Sequence, residues 1–256
     1  MINKKIYFFS IVILVACQTN KEPELTIAAA SNMQYAIKAL AKKFTSNTGK
    51  KCNVILSSSG KLTAQITQGA PYDIFLAANV KYPSTLHKKG YTLNKPKIYG
   101  YGNLILWSEQ SNITPTIALL NTQNIKNIAI ANPLTAPYGQ ASLKVLSQYQ
   151  LIDSLKNKLV FGESISQVNQ FIRSKSVEIG FTSKSILGTQ KVTGNWLEIP
   201  AHLYPPIAQG IVILKQTRHL ETATAFYRFV FTKDGQKILK KFGYTSVNQY
   251  PKNIIN

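Results

Sequence analysis

Ser31-Asn32, Ser57-Ser58-Ser59, Pro137-Tyr138-Gly139 and Ser164-Ile165-Ser166 are the stretches of this chain whose types and spacing could do chemistry. Ser31-Asn32 ends the apolar run Leu25–Ala30, after which Met33, Ala36, Ile37 and Leu40 recur at helical spacing. Such a junction is a buried strand whose last polar residues cap the following helix. A helix N-terminus presents unpaired N–H groups and the positive end of a dipole, and a neighbouring hydroxyl can donate as well. One junction alone reads more readily as a plain helix cap. Recurrence of the same arrangement is what points to an anion site.

These turns contain almost no ionisable residue, and that excludes much. The chain has 10 Asp plus Glu and 3 His, and none forms a carboxylate pair, a metal cluster or a nucleophile–base motif. Phosphate loops of the GxxxxGK[ST] or GxGxxG type are absent. Neutral donors can nevertheless hold an ionised anion, since each charge-assisted hydrogen bond contributes roughly 1.5–3 kcal/mol. Half a dozen of them offset dehydration and leave about −8 kcal/mol, which is micromolar affinity. A site made only of donors prefers an anion without a proton, because a ligand O–H needs an acceptor. Sulfate, molybdate and tungstate meet that condition and hydrogen phosphate does not. Cavity size must then separate sulfate from the larger pair.

The elements that position these turns alternate. Predicted strands over 25–30, 53–57 and 72–78 precede predicted helices over 32–47, from Lys61, and over 80–89, with Thr48-Gly49 ending the first. After a polar stretch over 91–99 the pattern restarts. Strands are expected over 102–107, 127–131, 159–161 and 177–181, with helices over 141–149 and from the Gly162–Gln167 turn to Arg173. A strand over 207–214 and amphipathic helices over 221–231 and 234–242 close the chain. Strands alternating with helices imply parallel βαβ units, so the fold class is α/β. In such sheets ligands bind beyond the carboxyl ends of the strands, where the polar turns gather. Interruptions near residues 100 and 206 favour two α/β lobes crossed twice by the chain, with residues 25–100 and 207–256 in lobe 1 and 101–206 in lobe 2.

The 256 residues are sufficient for two lobes of ordinary size. Residues 1–16 read as a signal peptide: Lys4 and Lys5 start it, and the apolar run Ile6–Val15 is too short to span a bilayer. Leu14-Val15-Ala16-Cys17 resembles the bacterial lipobox, which makes Cys17 the lipidated first residue of a mature chain and 17–24 a tether. No intramolecular disulfide is then available, and Cys52-Asn-Val-Ile-Leu56 reads as a buried strand with a structural thiol. Net charge is +20, which raises nucleic acid as a partner. The lysines are scattered pairs, however, without zinc-finger spacing or an aromatic RNA-binding motif, and they read as solvated surface. Asp73 reads as an organiser of loops within lobe 1, His202 as hinge surface, and Trp107 and Trp196 as core or near-core.

Taken in order, Ala28–Met33, Ser58–Ile66, Gly69–Phe75, Asn132–Ala141 (Asn132-Pro133, then Ala136-Pro137-Tyr138-Gly139-Gln140-Ala141), Gly162–Gln167, Ile179–Phe181 and Lys240–Tyr244 resemble the periplasmic molybdate-binding (ModA) family. The resemblance covers nearly all of the mature chain. It implies the type II periplasmic binding protein fold, with a ligand cleft between two α/β lobes, and a solute-binding role in an ABC importer. It implies no catalysis and no cofactor. The bound species that the resemblance implies is molybdate, and tungstate with it. Carried over position by position, Ser31 and Ser59 donate hydroxyls and amides, Asn32 its amide, and Tyr138 and Ile165 amides from the second lobe, with Ser58 as the alternative within the triple serine. Some family members place a tyrosine hydroxyl on the oxyanion after the strand matching Gly180. Here the segment is Gly180-Phe181-Thr182-Ser183-Lys184, and Ser183 is the nearest match. The implied partners are an ABC permease, one small oxyanion and, through Cys17, a membrane, for a monomer in the periplasm or on the outer face of the cell membrane. Rival readings are a receptor for another oxyanion such as sulfate, and a lipid-anchored serine hydrolase using Ser59 and Lys61. The second rival lacks the SxxK frame.

Overall fold

The computed structural model describes residues 25–189 and 192–250. The leader, Cys17 and the tether lie outside the described residues. Two mixed five-stranded sheets, each covered by helices, build two α/β lobes. The first sheet has the order β2-β1-β3-β10-β4, from β1 (Leu25–Ala30), β2 (Cys52–Ser57), β3 (Ile74–Ala77), β4 (Lys97–Gly102) and β10 (Ile207–Ile213). The second has the order β7-β6-β8-β5-β9, from β5 (Leu104–Ser108), β6 (Ile128–Ala131), β7 (Leu159–Gly162), β8 (Ile179–Ser183) and β9 (Asn195–Glu198). β1 runs parallel to β2 and β3, and β6 runs parallel to β7 and β8. Their carboxyl ends therefore point into the same cleft.

Local sequence explains the helices. α1 (Gln34–Thr48) buries Ala36, Ile37, Leu40 and Phe44 and stops where Gly49 adopts φ 71°, a conformation glycine takes without steric cost. α2 (Ser59–Thr67) and α3 (Lys81–Lys88) cover the other face of the first sheet. α4 (Pro137–Gln148), α5 (Ile152–Leu155) and α6 (Ile165–Arg173) belong to the second lobe. α7 (Leu220–Val230) and α8 (Lys233–Lys241) return to the first lobe, where Phe226 meets Phe44 edge-on at 5.2 Å. Helices lie on both faces of the first sheet, so its strands are apolar throughout rather than alternating.

The two connections between the sheets are short. Only Asn103 separates β4 from β5, and Ile199–Pro206 leads from β9 to β10. A single strand was expected over 102–107, but the ladder breaks at Asn103: β4 joins the first sheet and β5 the second. β4 thus takes in part of the stretch that reads as a polar connection, since Lys97 is exposed while Tyr99, Gly100 and Tyr101 are buried. β9 is a further strand beyond those expected, with edge-strand alternation of half-buried and exposed residues. Trp107 is fully buried and its indole N–H donates to Thr193 O at 3.0 Å, whereas Trp196, on edge strand β9, is 45% exposed and is not core. Cys52 is half-buried rather than buried, because β2 is the edge of its sheet. α4 begins four residues before the expected 141, with Pro137 in its first turn.

Candidate functional site

The turns that leave β1, β2, β6 and β7 meet in the cleft. A pocket with about 190 Å³ free of protein atoms is lined there by Ala30, Ser31, Asn32, Ser58, Ser59, Ala78, Ala136, Pro137, Tyr138 and Ile165. Only about 10 Å³ of it admits the centre of a water-sized molecule, far below the 300–1,000 Å³ usual for drug-sized ligands, so the site has room for no more than a single small species. All five residues singled out in the sequence, Ser31, Asn32, Ser59, Tyr138 and Ile165, are brought together, and each is at most 4% exposed. The lining contains no charged side chain. Larger grooves, such as the lysine-rimmed one between α1 and α8, are open surface.

Each of these residues opens a helix. Ser31 and Asn32 form a 3-10 turn that leads into α1, Ser59 is the first residue of α2, Tyr138 the second of α4 and Ile165 the first of α6. First-turn N–H groups have no intrahelical acceptor, so these helices aim amides and positive dipole ends at one point. Ser58 and Ser59 both line the pocket, and each hydroxyl accepts from one backbone N–H. Ser58 is the N-cap, with its hydroxyl oxygen accepting from Lys61 N at 3.4 Å. Ser59 Oγ accepts from Ala78 N at 2.9 Å, which fixes its lone pair and leaves its own proton to donate.

The two lobes touch across the cleft. Gly60 N donates to Thr135 O at 2.9 Å, and Tyr82 Oη to Leu134 O at 3.3 Å. Ser166 Oγ donates to Gln34 Oε1 at 2.8 Å, and Lys61 pairs with Glu163. A Cβ at Gly60 would stand 3.0 Å from Thr135 and from the Tyr82 hydroxyl, so glycine permits this approach. The Lys61 ammonium is engaged with Glu163, not with Ser59, and the site contains no nucleophile–base pair.

Behind the pocket lies a buried polar cluster that the sequence does not reveal. Asn32 Nδ2 donates to Gln209 Oε1 at 3.0 Å and to Tyr244 Oη at 2.9 Å. Ser183 does not line the pocket. It lies in this cluster, with its Oγ donating to Tyr138 Oη at 3.0 Å. Burial raises the Tyr138 phenol well above its ordinary range, partly countered by the Ser183, Gln209 and Asn32 donors. Tyr99 and Tyr244 are raised by burial, and Tyr204 is pushed up to about 12 by the same cause. These phenols stay neutral at physiological pH. Asp73, 4% exposed, accepts from Thr26 N at 2.7 Å and Thr217 Oγ1 at 2.6 Å and faces His219 Nδ1 at 3.2 Å. It therefore orders loops within the first lobe, away from the pocket. His202 is exposed in the second connection.

Comparison with known proteins agrees with this architecture. The family model for bacterial extracellular solute-binding proteins matches residues 25–245. The molybdate-binding protein ModA of Azotobacter vinelandii is 35% identical over 236 residues, covering 90% of this chain and 93% of that one. ModA of Rhodobacter capsulatus is 33% identical, covering 87% and 88%. The structure of the A. vinelandii periplasmic molybdate-binding protein superposes with a TM-score of 0.83 at 32% identity, covering 87% of this chain and 99% of that one. On its fold, its catalytically bare pocket and these likenesses, the chain belongs to the bacterial extracellular solute-binding proteins and, among them, to the ModA family, whose members are binding proteins rather than enzymes.

Proposed function

We propose that this protein captures molybdate, and tungstate alongside it, outside the cytoplasm and delivers the anion to the permease of an ABC importer. The observation that carries the reading is the convergence of helix N-termini and serine hydroxyls on one small, uncharged pocket walled by buried residues. In this reading Ser31 and Ser59 donate through hydroxyl and backbone, and Asn32, Tyr138 and Ile165 through backbone amides. With four such helix ends at roughly 0.3–1 kcal/mol each, and more where buried, the dipoles supplement the direct hydrogen bonds. No counter-charge is needed. The lobe that supplies Ser31, Asn32 and Ser59 takes in residues 25–102, two beyond the expected boundary at 100 because β4 runs to Gly102, together with 207–250, and the lobe that supplies Tyr138 and Ile165 lies between them. The anion is the surface on which they close. Cys17 carries the lipid that holds the protein, as a monomer, at the outer face of a membrane, and among the described residues no helix is long and apolar enough to cross one.

A melting scan of the purified protein tests this. Binding to the folded state alone raises the midpoint with dose, by about 2.7 kcal/mol of stability at a hundredfold excess over Kd. Molybdate and tungstate should raise it, while sulfate and phosphate at the same concentration should not. A rise with sulfate as large as with molybdate would make this a general oxyanion receptor. No rise with any of the four would end the oxyanion reading.

A further inference from the structure

Gln209 sits in the middle of β10, fully buried, on the strand that brings the chain back from the second lobe to the first. Its Oε1 accepts from Asn32 Nδ2 at 3.0 Å and from the Tyr99 hydroxyl at 2.9 Å, and its Nε2 donates to Tyr138 Oη at 3.3 Å. These partners come from three elements: the turn after β1, the strand β4 and the first turn of α4. Two of them, Asn32 and Tyr138, line the anion pocket from opposite lobes. Gln209 itself does not line it.

The backbone is shaped to place this amide. The β10–β4 ladder shifts register between Gln209 and Gly210, a local irregularity of the kind that re-aims a side chain. On the facing strand, a Cβ at Gly102 would collide with both Gln209 Nε2 and Tyr138 Oη. Gly102 is the last residue of β4, just before the first crossing between lobes. Both interlobe connections thus pass this one amide. A primary amide suits the position because it accepts at one end and donates at the other, within a rigid plane. No hydrocarbon side chain can do both.

We infer that Gln209 is a positioning residue of the oxyanion site, holding the Asn32 turn of one lobe and the Tyr138 turn of the other at a set separation and so setting which anion fits between them. The inference rests on the proposed function above. It predicts that Gln209 governs discrimination between anions of different size, although it never touches one. The separation of donors on the two lobes decides whether a small tetrahedral ion is held from both sides. A merely structural glutamine would influence folding and leave that discrimination untouched.

Calorimetric titration of the purified protein with molybdate and with sulfate, alongside the melting midpoint without anion, tests it. Gln209→Met keeps the length and loses both hydrogen-bonding ends. It should bind molybdate at least tenfold more weakly, and its molybdate-to-sulfate affinity ratio should fall at least threefold. Tyr138→Phe removes the oxygen that accepts from Gln209 Nε2 and from Ser183 Oγ and keeps the backbone amide. Its ratio should shift in the same direction by a smaller factor, which preserves the test if Gln209→Met fails to fold. Affinity and ratio both within twofold of wild type in either folded variant would overturn the inference. Wild-type protein that binds no molybdate would instead sink the functional reading beneath it.

Discussion

Replacing Ser59 by alanine separates the contribution of one hydroxyl to ligand from its contribution to the fold. In the structure Ser59 Oγ already accepts from Ala78 N at 2.9 Å, so its proton is directed elsewhere, and the pocket is the space it adjoins. Removing Oγ costs the anion one charge-assisted donor, worth roughly 1.5–3 kcal/mol. At 1.4 kcal/mol per decade this weakens molybdate binding by about 10- to 150-fold. It also leaves the Ala78 N–H without that acceptor, a cost of about 1–3 kcal/mol in the free protein. For a chain of this size that lowers the melting midpoint by roughly 2–12 °C. Calorimetric titration measures the first effect and melting without anion the second. Ser58→Ala is the control: it removes an N-cap worth about 0.5–2 kcal/mol, so stability should fall while affinity stays within threefold. Equal loss of affinity in the two variants, or affinity within threefold in Ser59→Ala, would refute the assignment of donor and cap.

Three further expectations follow from the closed cleft and the buried phenols. Gly60→Ala adds a methyl 3.0 Å from Thr135 and from the Tyr82 hydroxyl. The lobes should close less completely, weakening molybdate binding at least fivefold with little change in the anion-free melting midpoint. The Lys61–Glu163 pair is half exposed, so its worth is about 0.2–1 kcal/mol. Lys61→Ala should speed anion release by about 1.5- to 5-fold in stopped-flow measurements at low salt, an effect lost at 1 M salt. The phenols of Tyr99, Tyr138, Tyr204 and Tyr244 are raised by burial. Below the unfolded value of about 10 both states are neutral and the contribution is complete; above it the unfolded state ionises first and stability falls. Chemical denaturation across pH 7 to 11 should show stability dropping only in the last unit, whereas a drop already between pH 7 and 9 would contradict the buried neutral phenols.

What could be read in advance follows from range along the chain. The strand-to-helix turns at Ser31, Ser59, Tyr138 and Ile165 are local events, each written as an apolar run followed by polar caps and an apolar periodicity. Their convergence followed from the parallel βαβ rule, and the pocket contains all of them. The different backbone partners of Ser58 and Ser59 were not legible, because both are serines and the Ala78 amide that Ser59 accepts lies nineteen residues on. Gln209 was invisible for the same reason: its partners lie 177, 110 and 71 residues away. Lys97–Gly102 gave no strand signal because Gly100 and Gly102 weaken the pattern, yet a side chain at Gly102 would occupy the space of Tyr138 and Gln209. Trp196 was misread because indole area suggests core, while an edge strand leaves one face to water.

The central claim is tested most directly by locating a heavy anion in a crystal of the protein grown with tungstate, using the anomalous scattering of tungsten. The account predicts one fully occupied tungsten between the turns of Ser31, Ser59, Tyr138 and Ile165, with its oxygens within hydrogen-bond distance of those amides and of the Ser31 and Ser59 hydroxyls. Tungsten bound only at surface lysines, with the pocket holding water or another solute, would contradict it.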